Sequence, residues 1–230
     1  MLIKKEKLTI GFVSGDFRVH PVGYFVESII REFAVIAENE FELVVYSNHL
    51  QQDQITESIR RAVKHFNQVT ALSDCQLATK IHDDQVDILI DLSGHTAFNR
   101  LPMFAYQAAP IQISWLGCML TTGLSTMNYY LTDRWMVPAE FEHEYTEKIV
   151  RLPDSFLCFT PPKEDIPCSF LPLSKNGYVT FGCFNNLTKI NQNVIALWAK
   201  ILLALPASRL MLKSRHIGGT ASLYRSHCSI

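Results

Sequence analysis

The chain has 230 residues, of which 48% are hydrophobic and 19% charged, with 10 glycines and 10 prolines. That suits one large domain, or one complete and one partial domain at ~100–200 residues each, and it excludes a disordered chain. The 21 basic and 22 acidic side chains give a formal charge of −1 and are mixed along the sequence, so no polyanion-binding stripe forms and nucleic acid is not an expected partner. No apolar run reaches the ~18 residues of a membrane span. The start, MLIKKEKLTIGFVSGDF, meets Ser14 and Asp16 too soon for a signal peptide. A cytoplasmic protein with no membrane partner is expected. Six cysteines (Cys75, Cys118, Cys158, Cys168, Cys183, Cys228) lie scattered, with no C-x-x-C and no histidine pair at ligand spacing, which predicts reduced structural thiols and no zinc site.

In chain order, strand-like and helix-like patterns alternate. LTIGFV at 8–13 is followed by a helical pattern from Pro21, ELVVYS at 42–47, and a helical pattern through Ile55, Ile59 and Val63. A helix near Asp74 to Gln85 then precedes VDILIDL at 86–92, whose near-continuous apolar composition fits a parallel strand covered on both faces. A short helical segment, LPMFAYQAA, leads to IQISWLG at 111–117, with two further strands expected at 128–132 and 148–153. The class is therefore α/β with a Rossmann-like parallel sheet. Four prolines in TPPKEDIPCSFLPLSKN mark a linker over 161–176, after a first domain at 1–160. Residues 177–230 hold a strand at 178–184, an amphipathic helix from Asn193 to Leu205 and a strand at 209–213, while the tail IGGTASLYRSHCSI has no period. One β-α-β unit cannot cover both faces of its own sheet, so this part reads as the start of a second domain.

Ligands of open parallel sheets bind at the carboxyl ends of the strands. Four such exits carry chemistry. In Ser14-Gly15-Asp16-Phe17-Arg18-Val19-His20-Pro21, His20 falls at a helix mouth, where an imidazole is either a general base or an ordinary capping residue. Ser93-Gly94-His95-Thr96 follows the most apolar strand, and His95 is either a site residue or a structural hydrogen-bonding group. Thr121-Thr122-Gly123 offers hydroxyls and amides to a phosphate or sugar, or is simply a turn. Asn185-Asn186-Leu187-Thr188-Lys189 can read a base and a diphosphate, or cap a helix beside a solvated lysine. No G-x-G-x-x-G, P-loop or G-x-S-x-G motif is present, and Asp83, Asp84 and Asp87 lack the Asp-x-Asp spacing of metal-dependent sugar-nucleotide enzymes.

The strings GFVSGDFRVHPVGYF, DILIDLSGHTAFNRLPMFAYQAAPIQISWLG, TTGLSTMNYYLTD, YTEKIVRLPDSFLCFTPP and VTFGCFNNLTKINQNVIALWAKIL run in order from Leu8 to about Lys213. Together they resemble the catalytic region of the O-linked N-acetylglucosamine transferase and SPINDLY family. The resemblance implies a metal-independent, inverting glycosyltransferase of GT-B type, with residues 8 to about 160 as the N-terminal, acceptor-side lobe and 177–230 as an incomplete nucleotide-sugar-binding lobe. It implies that His20 lines the sugar site as the proposed base, and that His95, Thr121 and Thr122 support the substrate. Asn186 and Lys189 then contact the donor nucleotide. The donor it suggests is UDP-N-acetylglucosamine, the acceptors are protein Ser and Thr, and no cofactor or metal is implied. Three features depart from the family. Cys118-Met119-Leu120 replaces Tyr-Pro-Gly, Asn128 stands where Asp is common, and the chain lacks both the later second-lobe segments and the usual tetratricopeptide repeats. The alternative expectation is a truncated, non-catalytic fragment or acceptor-binding module without a donor pocket.

Overall fold

A computed structural model describes residues 6–36, 39–161 and 167–214, and the backbone of 222–224. Two compact units divide the chain, Met1–Pro161 and Pro162–Ile230.

In the first unit, strands β1 (Leu8–Ser14), β2 (Phe41–Ser47), β3 (His65–Gln68), β4 (Ile88–Asp91), β5 (Ile111–Ser114), β6 (Tyr129–Thr132) and β7 (Lys148–Arg151) form one sheet. Its order is β3-β2-β1-β4-β5-β6-β7, and every neighbouring pair is parallel. This is the α/β, Rossmann-like class expected from the sequence, doubly wound with its switch point between β1 and β4. The strand alternation explains the two faces. Ile10, Phe12, Leu43 and Val45 point into one core with Val26 and Ile30 of α1 (Pro21–Ile36) and Ile55 and Ile59 of α2 (Gln54–Ala62). Val13, Val44, Tyr46 and Leu89 point into the other, against Leu77 and Ile81 of α3 (Asp74–Asp83) and Met103 and Phe104 of α4 (Leu101–Phe104). Gly11 makes the second core possible, since a Cβ there would meet Leu89 Cδ1 at 2.9 Å.

Helix starts follow side-chain chemistry. Asp53 and Ser73 form capping boxes with Thr56 and Gln76 at the heads of α2 and α3. Strand β3 was not among the expected strands. Its sequence, HFNQ, has no alternation, and it lies at the sheet edge, paired only to β2.

The second unit contains α5 (Pro172–Asn176), β8 (Thr180–Cys183), α6 (Gln192–Ala204), β9 (Arg209–Leu212) and β10 (Ser222–Tyr224). β8 and β9 are parallel, and β10 pairs antiparallel to β9 within the tail that carried no sequence period. The rest of that tail, with Cys228, lies outside the described residues. The segment expected to be a linker ends in α5, which begins at Pro172 and closes on Gly177 at φ 72°. Proline at the start and glycine past the end are helix signals that the proline content had masked. Among residues 167–214 no side chain is fully buried. Ile195, Leu197 and Leu203 of α6 are all more than half exposed.

Candidate functional site

The site in the first unit is built from the exits of β1, β4 and β5. β1 and β4 are neighbours only because the sheet reverses its order there, and their exits touch through Ser14 Oγ and Ser93 Oγ at 3.3 Å.

The β1 exit is clamped from two sides. Asp53 caps α2 with one carboxylate oxygen, and its other oxygen accepts the Val19 amide at 2.6 Å. Thr56 Oγ1 donates to the Phe17 carbonyl at 2.7 Å. Across the loop Asn48 Nδ2 donates to the Phe98 carbonyl at 2.9 Å, and Phe98 Cβ sits where Gly15 leaves room, 2.6 Å from the position a Cβ would take. Phe98 holds a left-handed φ of 60° to do so.

Within this loop His20 precedes α1 in the manner of an N-cap. Its carbonyl accepts the Tyr24 amide at 3.0 Å, and its Nδ1 accepts the Val22 amide at 3.3 Å. Asp16 is nearly buried, with Oδ2 3.5 Å from His20 Nδ1 and Oδ1 accepting Arg18 Nη2 at 3.0 Å. Burial lowers the imidazole pKa below 6.5, with Arg18 adding to the shift and Asp16 opposing it, so the ring is neutral at pH 7.

The β4 exit rests on Asp91. This fully buried carboxyl accepts the Ser93 amide at 3.0 Å and the Gly94 amide at 2.8 Å, with Ser114 Oγ at 3.5 Å. Burial nevertheless pushes its pKa up to about 6, against the pull of those hydrogen bonds. The turn it holds packs backbone to backbone on the β5 exit. A Cβ on Gly117 would fall 2.2 Å from the Ser93 carbonyl carbon, and Gly94, at φ 54°, faces Cys118. His95 then reaches across, its Nε2 3.0 Å from the Thr121 carbonyl oxygen.

Thr121 and Thr122 were expected to offer their hydroxyls to a substrate. Instead both donate to Glu147, which also accepts the Thr122 amide at 2.7 Å, and Thr122 is buried. The geometry makes Thr122 an internal brace of the loop, while Thr121 and His95 remain at its rim. Cys118 and Met119 supply carbonyls to the hydroxyls of Tyr130 and Tyr145, each at 3.3 Å, and these bonds hold the loop. Asn128 Oδ1 accepts the Gln112 amide at 2.7 Å, a bond that either Asn or Asp can make. Asn128→Asp should therefore change the unfolding free energy by no more than about 0.5 kcal/mol, as measured by urea denaturation at pH 7.

In the second unit, Asn186 and Lys189 share one turn. Asn186 Oδ1 accepts the Thr188 amide at 3.3 Å, and the Lys189 amide donates to the Asn186 carbonyl at 3.0 Å. The helix after β8 begins later than the motif, at Gln192, where Asn191 caps it. Asn186 thus makes the capping contact that was its alternative reading, through Oδ1 on the Thr188 amide.

Sequence reasoning did not single out Asp16, Asp91 or Glu147. Asp16 and Asp91 do stand at strand exits, and that position is the signal that could have found them. Glu147 precedes a strand and meets its partners 25 residues away. Among the described residues no three His, Cys, Asp or Glu side chains cluster as a metal site, and no helix is long and apolar enough to cross a membrane.

A doubly wound parallel sheet with polar loops gathered at its switch point defines a ligand-binding α/β unit. Residues 1–160 match the family described as glycosyl transferase family 41, and the chain belongs to that family. It is 40% identical over 220 residues to a probable UDP-N-acetylglucosamine–peptide N-acetylglucosaminyltransferase SPINDLY of Petunia hybrida, covering 93% of this chain and 23% of that protein. It is 34% identical over 218 residues to the corresponding SEC protein of Arabidopsis thaliana, covering 90% and 22%. A mutant of Thermobaculum terrenum O-GlcNAc transferase superposes with a TM-score of 0.80 at 40% identity, over 90% of this chain and 38% of that one. The chain thus spans less than a quarter of the length of these plant relatives.

Proposed function

We propose that this chain contributes the acceptor-side lobe, and the first β-α-β unit of the donor-side lobe, to a metal-independent, inverting transferase. The enzyme moves N-acetylglucosamine from UDP-N-acetylglucosamine to protein Ser or Thr hydroxyls. The observation that carries this reading is the convergence of His20 and His95 on the β1–β4 switch point of a family 41 sheet. The relatives' names supply the donor and acceptor classes.

In this reading His20 lies beside the reacting hydroxyl or the transferred sugar, with Asp91 and Glu147 holding the loops around it. Lys189 and the Asn186 carboxamide meet the diphosphate and base of the donor. A lysine is needed there because no metal would neutralise the departing diphosphate. Lys189→Ala should weaken UDP binding roughly 10- to 100-fold, the worth of one hydrogen bond to a charged group. Isothermal titration of the chain and its variant with UDP measures this, and equal affinities would remove Lys189 from the site.

A second reading is an acceptor-binding module without a working donor pocket. It is favoured by the absence of any fully buried side chain among the described residues of the second unit. Binding of Ser/Thr peptides with no response to UDP would select it.

A further inference from the structure

His20 Nδ1 has two neighbours of opposite demand. The Val22 amide donates a proton toward it at 3.3 Å, while Asp16 Oδ2, which can only accept, stands 3.5 Å away. A ring nitrogen that accepts an N–H carries no proton of its own, so the two contacts call for different tautomers. The Val22 contact has hydrogen-bond geometry and satisfies an amide that the first turn of a helix otherwise leaves without a partner.

Asp16 cannot swing closer. Its backbone N–H donates to Ser14 Oγ at 3.0 Å, Arg18 Nη2 holds its Oδ1, and its side chain is only 5% exposed. Asp16 and Arg18 are the two charged groups that act on the ring.

We propose that the Val22 amide holds resting His20 as the Nε2–H tautomer, so that His20 meets a ligand oxygen as a hydrogen-bond donor and not as the base that removes a hydroxyl proton, and that Asp16 is a positioning residue for the protonated ring. The identity of that oxygen, on a sugar or an acceptor, rests on the function proposed above. The tautomer does not. Nε2 already carries a proton and has no lone pair in the ring plane for another. Asp16 acts when the ring is protonated: the new Nδ1–H then has a fixed carboxylate to turn to, at the cost of the Val22 bond. Asp16 therefore sets how readily the imidazolium forms, while the helix terminus sets which nitrogen is protonated at rest.

Long-range 1H–15N correlation spectra of the 15N-labelled 230-residue chain at pH 8 test this, with His20 assigned by the signals lost in His20→Gln. The expected result is an unprotonated Nδ1 and a protonated Nε2. In Asp16→Asn the amide NH2 faces Nδ1, so the tautomer should persist while the His20 pKa falls by about one unit. A wild-type proton on Nδ1, or averaged shifts at the two nitrogens, would overturn the proposal and restore Nε2 as a base. An unchanged pKa in Asp16→Asn would remove Asp16 from the role. If that variant fails to fold, the wild-type spectrum still decides the tautomer. Failure of the chain to bind UDP would bear on the proposed function and leave this measurement untouched.

Discussion

Replacing Asp91 by asparagine should abolish about 3 kcal/mol of pH-dependent stability between pH 4 and pH 7. The carboxyl has a pKa of about 6 in the fold against an ordinary 3.8. Below pH 3.8 both the folded and the unfolded chain hold the proton, and above pH 6 neither does. Between the two values only the folded chain keeps it, so this group's contribution to stability falls as the pH rises through that window. Asparagine has no proton to lose. Urea denaturation of both proteins at pH 4, 5, 6 and 7 should show the wild type gaining on the variant by that amount toward the acid end. A constant difference would mean that the Ser93 and Gly94 amides keep Asp91 ionised throughout.

Glu147→Ala should cost about 4 kcal/mol, because it strands the buried Thr122 amide and hydroxyl together, at ~1–3 kcal/mol each. Glu147→Gln keeps the shape and an acceptor oxygen and should lose less. Thermal or urea denaturation gives the size of the effect. Hydrogen exchange at Thr122 and Gly123 locates it, since their amides are held by Glu147 and by Thr121 Oγ1. If Glu147→Ala unfolded at wild-type denaturant concentrations, the brace between this loop and the segment before β7 would carry no weight.

These two carboxylates also show where sequence reading stops. The strands at Leu8, Phe41, Ile88 and Ile111 were legible because apolar alternation and continuous apolar runs are local properties. His20, His95 and Lys189 were legible as chemistry because each follows a strand. The state of each was not. That His20 Nδ1 is engaged by Val22 follows from its place at the head of α1, but its charge depends on Asp16 and on burial by residues distant in sequence. Thr121 and Thr122 looked available because nothing nearby consumes their hydroxyls. The group that does, Glu147, is 25 residues on. β3 was missed for the same reason, since HFNQ becomes a strand only through its pairing with β2.

The pairing of β1 with β4 joins residues 78 apart, with the Thr9 amide donating to Asp87 Oδ2 at 2.8 Å and the Asp87 amide to the Thr9 carbonyl at 2.9 Å. The loops that make the site therefore come together only when β1 and β4 are paired. Ligand occupancy at these loops is thermodynamically linked to global unfolding. A ligand at a hundred times its dissociation constant would add about 2.7 kcal/mol to the stability of the whole unit. The denaturation midpoint is thus a gauge of what binds at the switch point, whether or not any sugar is transferred.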